Sequence, residues 1–218
     1  MSRPPEQSHL RYPLTRLLGN GGNIRVLRAL VAFGAPLSAV QLARDADMTP
    51  QGTRLVLEGL SAQGVVAVHG MSRAQVFALN PRYPFAALLK GFFEAEKARW
   101  VSIHERLLEA FVSEAGVRSA WLYGSVARAE DTPASDIDIA LMTEGQRPDV
   151  VAAVRKTLQA MEDEFQIHIS VVALTPADVA GLAPDTGWWA EVCKQAKVLK
   201  GLSPLLEGVR CGREKQQA

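Results

Sequence analysis

Apolar positions recur at helical spacing in the first third of the chain. Ile24, Leu27, Ala29, Leu30, Val31 and Phe33 predict a short helix, with Asn23 as its expected cap and Gly34-Ala35-Pro36 as its stop. Ser38 can cap a second helix through about Ala46, with Val40, Leu42 and Ala43 towards a core. Asp47-Met48-Thr49-Pro50 reads as a turn, Thr49 being an N-cap and Pro50 a first helical residue. A third helix then runs to about Gln63, with Val56, Leu57 and Leu60 on one side and Gly64 after it. The pattern then changes. Residues 65–69 and 74–79 are two strand-like runs around Gly70-Met71-Ser72-Arg73, a hairpin signal closed by Asn80-Pro81.

Helical spacing returns over residues 84–115, in Phe85, Leu88, Leu89, Phe92, Phe93, Trp100, Ile103, Leu107, Leu108 and Phe111. This stretch is either a dimer-forming connector or a helix or two packed on their own domains. From Ser119 the periodicity shortens. Ala120 to Tyr123 is a strand, Gly124-Ser125 interrupts it, Val126 to Glu130 is helical, and residues 131–134 form a loop. Ser135 to Met142 is a strand with period two, so Asp136, Asp138, Ala140 and Met142 share one face and Ile137, Ile139 and Leu141 the other. A later strand, residues 166–176, puts Gln166, His168 and Ser170 on one face. The ends carry weaker patterns: residues 1–19, rich in Pro, Arg and Gly, read as a loose arm, and 202–218 as a frayed tail. The expected division is arm 1–19, first domain 20–83, connector 84–115, second domain 116–201 and tail 202–218.

Composition changes this picture in two respects. No apolar run approaches the roughly 18 residues that span a bilayer, the N-terminus lacks a signal peptide's apolar centre, and the two cysteines, Cys193 and Cys211, make no disulfide framework. A cytoplasmic protein with no membrane partner is expected. Cys193 is expected in a core and Cys211 at the surface. The net charge of +1 is uneven. Residues 1–100 hold 12 basic and 6 acidic residues, a net of +6, and residues 101–218 hold 12 basic and 17 acidic, a net of −5. A basic half favours polyanions, nucleic acid above all.

Three short helices and a hairpin within residues 20–82 resemble a winged helix-turn-helix domain. In that fold the third helix enters the major groove and the wing touches the DNA backbone. The resemblance implies Gln51, Thr53 and Arg54 as exposed readers of DNA, and Arg73, with His69, as wing contacts to phosphate. The other reading of these residues is a solvated face on a protein–protein adaptor.

The candidate chemistry lies in the second half. Two carboxylates at i and i+2 on one strand face repel each other, and a divalent cation compensates them. Mg²⁺ suits one or two carboxylates plus phosphate oxygens. Gly124 allows close backbone approach, and Ser125 brings a hydroxyl to the start of a helix, whose amides favour anions. Gly124-Ser125-Val126-Ala127-Arg128 followed by Ser135-Asp136-Ile137-Asp138 resembles the motif of minimal nucleotidyltransferases in the DNA polymerase β superfamily, over about residues 105–201. Trp188 to Val192 and Val198 to Gly201 resemble the close of such domains. The two Trp are expected to pack rather than to stack on a ligand.

This resemblance implies an α+β architecture, a mixed sheet with helices on one side. It implies Mg²⁺- or Mn²⁺-dependent transfer of a nucleoside monophosphate from a nucleoside triphosphate to a hydroxyl of a protein, RNA or small molecule. Gly124 and Ser125 would hold the triphosphate, Asp136 and Asp138 the metal, and Arg128 would assist a phosphate or form a surface salt bridge. The pattern departs from the family at the third carboxylate, whose position falls on Ser170. His168 could ligate metal or serve as a base, or be an ordinary hydrogen-bonded histidine. Three readings follow: a nucleotidyltransferase with a DNA-binding domain, a transcriptional regulator with a degenerate nucleotide-sensing domain, and a partner-docking protein of toxin–antitoxin type.

Overall fold

Residues 13–71 and 74–217 are described by a computed structural model. The chain divides into two units, Met1–Arg99 and Trp100–Ala218. In the first unit, helix α1 is Pro13–Leu18 and α2 is Gly21–Phe33. Part of the stretch expected as a loose arm is therefore helical, because Leu17 is fully buried among Val26, Leu27, Leu57 and Leu60. The rest of that arm, residues 1–12, lies outside the described residues. The cap of α2 is Asn20, whose Oδ1 accepts from Gly22 N at 2.8 Å. Asn23, the expected cap, is instead buried and donates to the Leu17 carbonyl.

A two-residue strand, β1 (Leu37–Ser38), precedes α3 (Ala39–Asp45), which opens on a capping box of Ser38 and Gln41. Helix α4 (Pro50–Ala62) starts at Thr49, whose hydroxyl accepts from Gly52 N. Strands β2 (Val66–His69) and β3 (Val76–Leu79) form the hairpin, and β1 adds to it antiparallel, giving the order β1-β3-β2. This is a winged helix-turn-helix arrangement. β1 is too short for an alternation signal, and only its pairing with Phe77 and Val76 defines it.

Helix α5 (Ala86–Val112) is one continuous helix of 27 residues. In the first unit it inserts Leu89 and Phe93 into the core. Arg28 of α2 donates to both carboxylate oxygens of Glu96 (2.6 and 2.9 Å) and lies over the Phe93 ring. Leu88 and Phe92 remain exposed. In the second unit α5 buries Ile103, Leu107 and Phe111.

The second unit is built on a sheet of β4 (Val117–Tyr123), β5 (Ile137–Thr143), β6 (Ile169–Leu174) and β7 (Lys197–Lys200), in the order β6-β5-β4-β7. β4 pairs antiparallel with β5 and β7, and β5 pairs parallel with β6, so the sheet is mixed. Between the strands lie α6 (Gly124–Arg128), α7 (Pro148–Phe165), α8 (Pro176–Ala180) and α9 (Gly187–Gln195); α10 (Pro204–Gln217) follows β7. Ile137, Ile139 and Leu141 pack with α5 and with Val150, Val154, Leu158 and Met161 of α7. Trp121, Ala140 and Met142, on the opposite face, pack with Val179, Trp189, Val192 and Cys211.

Both faces of the sheet are thus covered, not one. The second face is apolar along its central part and buries itself under α8, α9 and α10. Residues 202–217 are correspondingly no frayed tail: Cys211 and Glu207 of α10 are both about 1% exposed. Cys211 is the more buried of the two cysteines and Cys193 the less, reversing the expectation. Lys200 holds the end of α5, donating to the Phe111 and Glu114 carbonyls at 2.9 and 2.8 Å.

Candidate functional site

The period-two face of β5 is apolar at Ala140 and Met142 and polar at its start. Asp138 is half-buried and Asp136, just before the strand, is exposed. Tyr123, the last residue of β4, is the register partner of Asp138, so the two side chains are neighbours on one face. The chain then turns at Gly124, whose φ of +76° is in the left-handed region. A Cβ there would sit on Asp138 Oδ2 and within 3.1 Å of its Cγ. The Asp138 carboxylate is therefore laid against the Gly124 backbone, and Ser125 follows half-buried in the first turn of α6. α6 ends at Arg128, shorter than the expected 126–130, because Ala129 takes a left-handed φ of +57°.

Electrostatics mark the same place. Burial pushes the Asp138 carboxyl up, the charge of Asp136 pushes it further, and Arg128 opposes both. The folded chain therefore binds this proton more tightly than an unfolded chain does. Stability is penalised above the Asp138 titration and the penalty disappears as pH falls through it. Asp138→Asn, without added metal, is expected to melt at or above wild type at pH 7, with the gap closing at low pH. A variant melting below wild type at pH 7 would contradict this.

Arg128 is exposed and occupied. Its Nε donates to Glu130 (2.7 Å) and its Nη1 to Gln195 of α9 (3.0 Å), and the bond to Glu130 holds its pKa up. It forms the surface salt bridge that was one of its two expected roles, and it lies within electrostatic reach of Asp138.

On the other flank Ser170 is the register partner of Asp138 in β6, and it is exposed. The neighbouring strand therefore sets a hydroxyl, not a carboxylate, beside Asp138. His168 uses its carbonyl to accept from Ile137 N at 2.8 Å, and its side chain is exposed. Among the described residues no three His, Cys, Asp or Glu side chains gather as a metal site, so His168 does not complete a set with Asp136 and Asp138. A pair of carboxylates, one exposed and one half-buried, still suits Mg²⁺, which draws its remaining ligands from phosphate and water. Glu162, which no sequence signal located, accepts from Ile169 N at 2.7 Å and ties α7 to the start of β6.

The two tryptophans part company. Trp189 is buried and meets Trp121 edge-on at 5.6 Å. Trp188 is half-buried and meets Tyr123 edge-on at 5.5 Å. The sequence alone gives no sign of this difference. Their separation follows from helical rotation of 100° per residue.

In the first unit, α4 presents Gln51 and Arg54 at its exposed N-terminal half. Thr53 is not a reader: it is fully buried, and its Oγ1 donates to the Thr49 carbonyl at 3.0 Å. It begins the inward row Thr53, Leu57, Leu60. Arg73 lies outside the described residues, and His69 is exposed at the end of β2. Arg44, which no sequence motif marks, is exposed at the end of α3. Like Arg54 it holds no ion pair among the described residues, whereas Arg25, Arg28 and Lys90 are paired. No described helix is long and apolar enough to cross a membrane.

Residues 105–183, just over a third of the chain, match the family model described as polymerase beta, nucleotidyltransferase, so the second unit carries a nucleotidyltransferase domain. No curated protein sequence matches the chain. Among solved structures, a toxin–antitoxin complex with AMP-PNP is similar at 16% identity and a TM-score of 0.36, over 52% of this chain and 87% of that one. The AntR antimony-specific transcriptional repressor is similar at 19% identity and 0.35, over 46% and 98%. A MarR family transcriptional regulator from Silicibacter pomeroyi is similar at 23% and 0.28, over 44% and 78%. None of these likenesses carries a residue role to this chain.

Proposed function

We propose that the protein is a DNA-binding nucleotidyltransferase that moves a nucleoside monophosphate from a nucleoside triphosphate to a hydroxyl acceptor, on a protein or RNA or on a small molecule. One observation carries the reading: Asp138, half-buried with its charge disfavoured, lies against the left-handed Gly124 and beside Asp136 at the open end of β5. Burying a charge in this way is costly unless a cation or ligand repays it. Asp136 and Asp138 are the residues that would hold Mg²⁺ or Mn²⁺, and the ion would supply charge neutralisation to the phosphates. Gly124 makes room for the Asp138 carboxylate, and the backbone of Gly124 and Ser125 with the Ser125 hydroxyl would hold the triphosphate at the start of α6. Arg128 must leave Glu130 before it can reach a phosphate, so its role is secondary.

The test is label transfer. Purified protein is incubated with each α-labelled nucleoside triphosphate, Mg²⁺ or Mn²⁺, and cell extract as acceptor source. Label on an acceptor, absent with Asp136→Ala/Asp138→Ala, is the expected result. A second reading, a regulator whose domain senses nucleotide without turnover, is favoured by Ser170 at the Asp138 register position. It predicts thermal stabilisation by nucleotide with no transfer. Neither effect would remove both readings and leave a partner-docking domain.

The DNA-binding half of the proposal rests on Arg44 of α3 and Arg54 of α4, which hold no ion pair among the described residues, in the half with net charge +6. Gln51 and Arg54 would meet base edges, Arg44 phosphate, and Arg73 and His69 the backbone beside the wing. Exposed Leu88 and Phe92 on α5 are the surface a second copy would cover. In a gel shift on the protein's own promoter, Arg54→Ala is expected to weaken specific binding by about 1–3 kcal/mol. Thr53→Ser, which keeps the inward hydroxyl, is expected to leave binding unchanged. Wild-type retention that does not fall with salt would contradict electrostatic binding to DNA.

A further inference from the structure

Resting on the nucleotidyltransferase reading, we propose that Trp188 is the platform for the nucleobase of the bound nucleoside triphosphate, with Tyr123 as the side chain that spaces it from the carboxylate pair. The two tryptophans of α9 have different surroundings. Trp189 is enclosed in the core with Trp121 and Val192. Trp188 is only half-buried, although it is as large and as apolar. It nevertheless packs on two rings, edge-on to Tyr123 at 5.5 Å and tilted on Trp189 at 5.7 Å. An indole so packed, with ring surface left at solvent, is suited to stacking, since less side-chain freedom remains to be lost.

Its position is as informative as its packing. Tyr123 is paired in register with Asp138, and the charge of Asp138 reaches the Tyr123 phenol. Trp188 is thus one aromatic ring removed from the carboxylate that faces Gly124. A nucleotide whose phosphates lie at Gly124 and Ser125 carries its base away from them by the width of the ribose. Trp188, which meets Tyr123 at 5.5 Å, is the half-buried ring against which that base would lie. Every base has a π-face, so the platform fixes where the base lies and leaves the choice among bases to other contacts.

The experiment compares two probes, ATP and inorganic tripolyphosphate, by equilibrium dialysis with Mg²⁺, on wild type, Trp188→Ala and Trp188→Phe. Tripolyphosphate has the phosphates and no base. Trp188→Ala is expected to weaken ATP roughly 5- to 100-fold while leaving tripolyphosphate unchanged, and Trp188→Phe is expected to recover most of the loss. ATP is expected to quench intrinsic fluorescence in wild type and far less in Trp188→Phe. Equal weakening of both probes would mean a structural role and overturn the inference, as would an ATP affinity that ignores the substitution. Wild type binding both probes equally would overturn the platform and leave the phosphate and metal reading standing. Wild type binding neither would overturn both.

Discussion

Gly124→Ala is expected to reduce Mg²⁺-dependent nucleotide binding at least 100-fold, with a much smaller loss of stability. Two effects combine. At φ +76° an alanine costs about 1–2 kcal/mol of backbone strain. Its Cβ would also occupy the place of Asp138 Oδ2, with Asp138 Cγ only 3.1 Å away. The backbone of β4 cannot retreat, because Tyr123 and Leu122 are paired with Asp138 and Ile139. The Asp138 carboxylate must therefore rotate out of its place, and the binding loss follows that displacement. Gly145→Ala is the control: Gly145 has φ +85° and nothing within 4 Å of a Cβ, so it bears similar strain with no neighbour to displace. Dialysis of both variants, with melting curves alongside, separates the effects. Equal nucleotide binding in the two would contradict the account.

Glu207→Ala is expected to destabilise the second unit by about 3–5 kcal/mol, lowering its melting temperature by roughly 10–20 °C. The Arg118 side chain is 5% exposed and that of Glu207 1%. Arg118 donates to Glu207 Oε2 from Nη2 (2.9 Å) and Nε (3.2 Å), and the Ser119 hydroxyl donates to Oε1 (2.7 Å). Burial opposes the Arg118 charge, but hydrogen bonds to Glu214 and Glu207 outweigh it and raise its pKa above the ordinary value. Without Glu207 a buried guanidinium keeps, among the described residues, the half-exposed Glu214 and Glu144 as its acidic partners. The penalty comes from the orphaned charge rather than from the pair's net attraction. Arg118→Met/Glu207→Leu, which removes both charges, is therefore expected to melt close to wild type. A Glu207→Ala protein melting within 2 °C of wild type would contradict this.

The legible parts of the fold are those with local causes. Ser38 and Thr49 announce their helices because capping depends on residues three or four apart. Asp136 and Asp138 read as neighbours because the strand period is two, and their spacing after Gly124-Ser125 is local in the chain. The unreadable parts depend on partners distant in sequence. α10 looks like a polar tail until Glu207 meets Arg118, 89 residues earlier, and Cys211 meets Trp121's side of the sheet. Thr53 and Arg54 are adjacent polar residues, and only the packing of α4 on its core separates the buried one from the exposed one. Trp188 and Trp189 differ for the same reason. Ser170 is an intermediate case: the strand pattern puts it on one face with Gln166 and His168, and only the parallel register shows that it pairs with Asp138.

The central claim is that Asp136 and Asp138 bind a divalent cation together with a nucleotide. Mn²⁺ titration followed by electron paramagnetic resonance, with a non-hydrolysable nucleoside triphosphate, tests it most directly. In wild type the free Mn²⁺ signal is expected to fall further with protein and nucleotide together than with nucleotide alone, saturating at one nucleotide per chain. In Asp136→Asn/Asp138→Asn that additional loss is expected to vanish while the protein stays folded. Equal Mn²⁺ uptake by wild type and the double variant would contradict the claim.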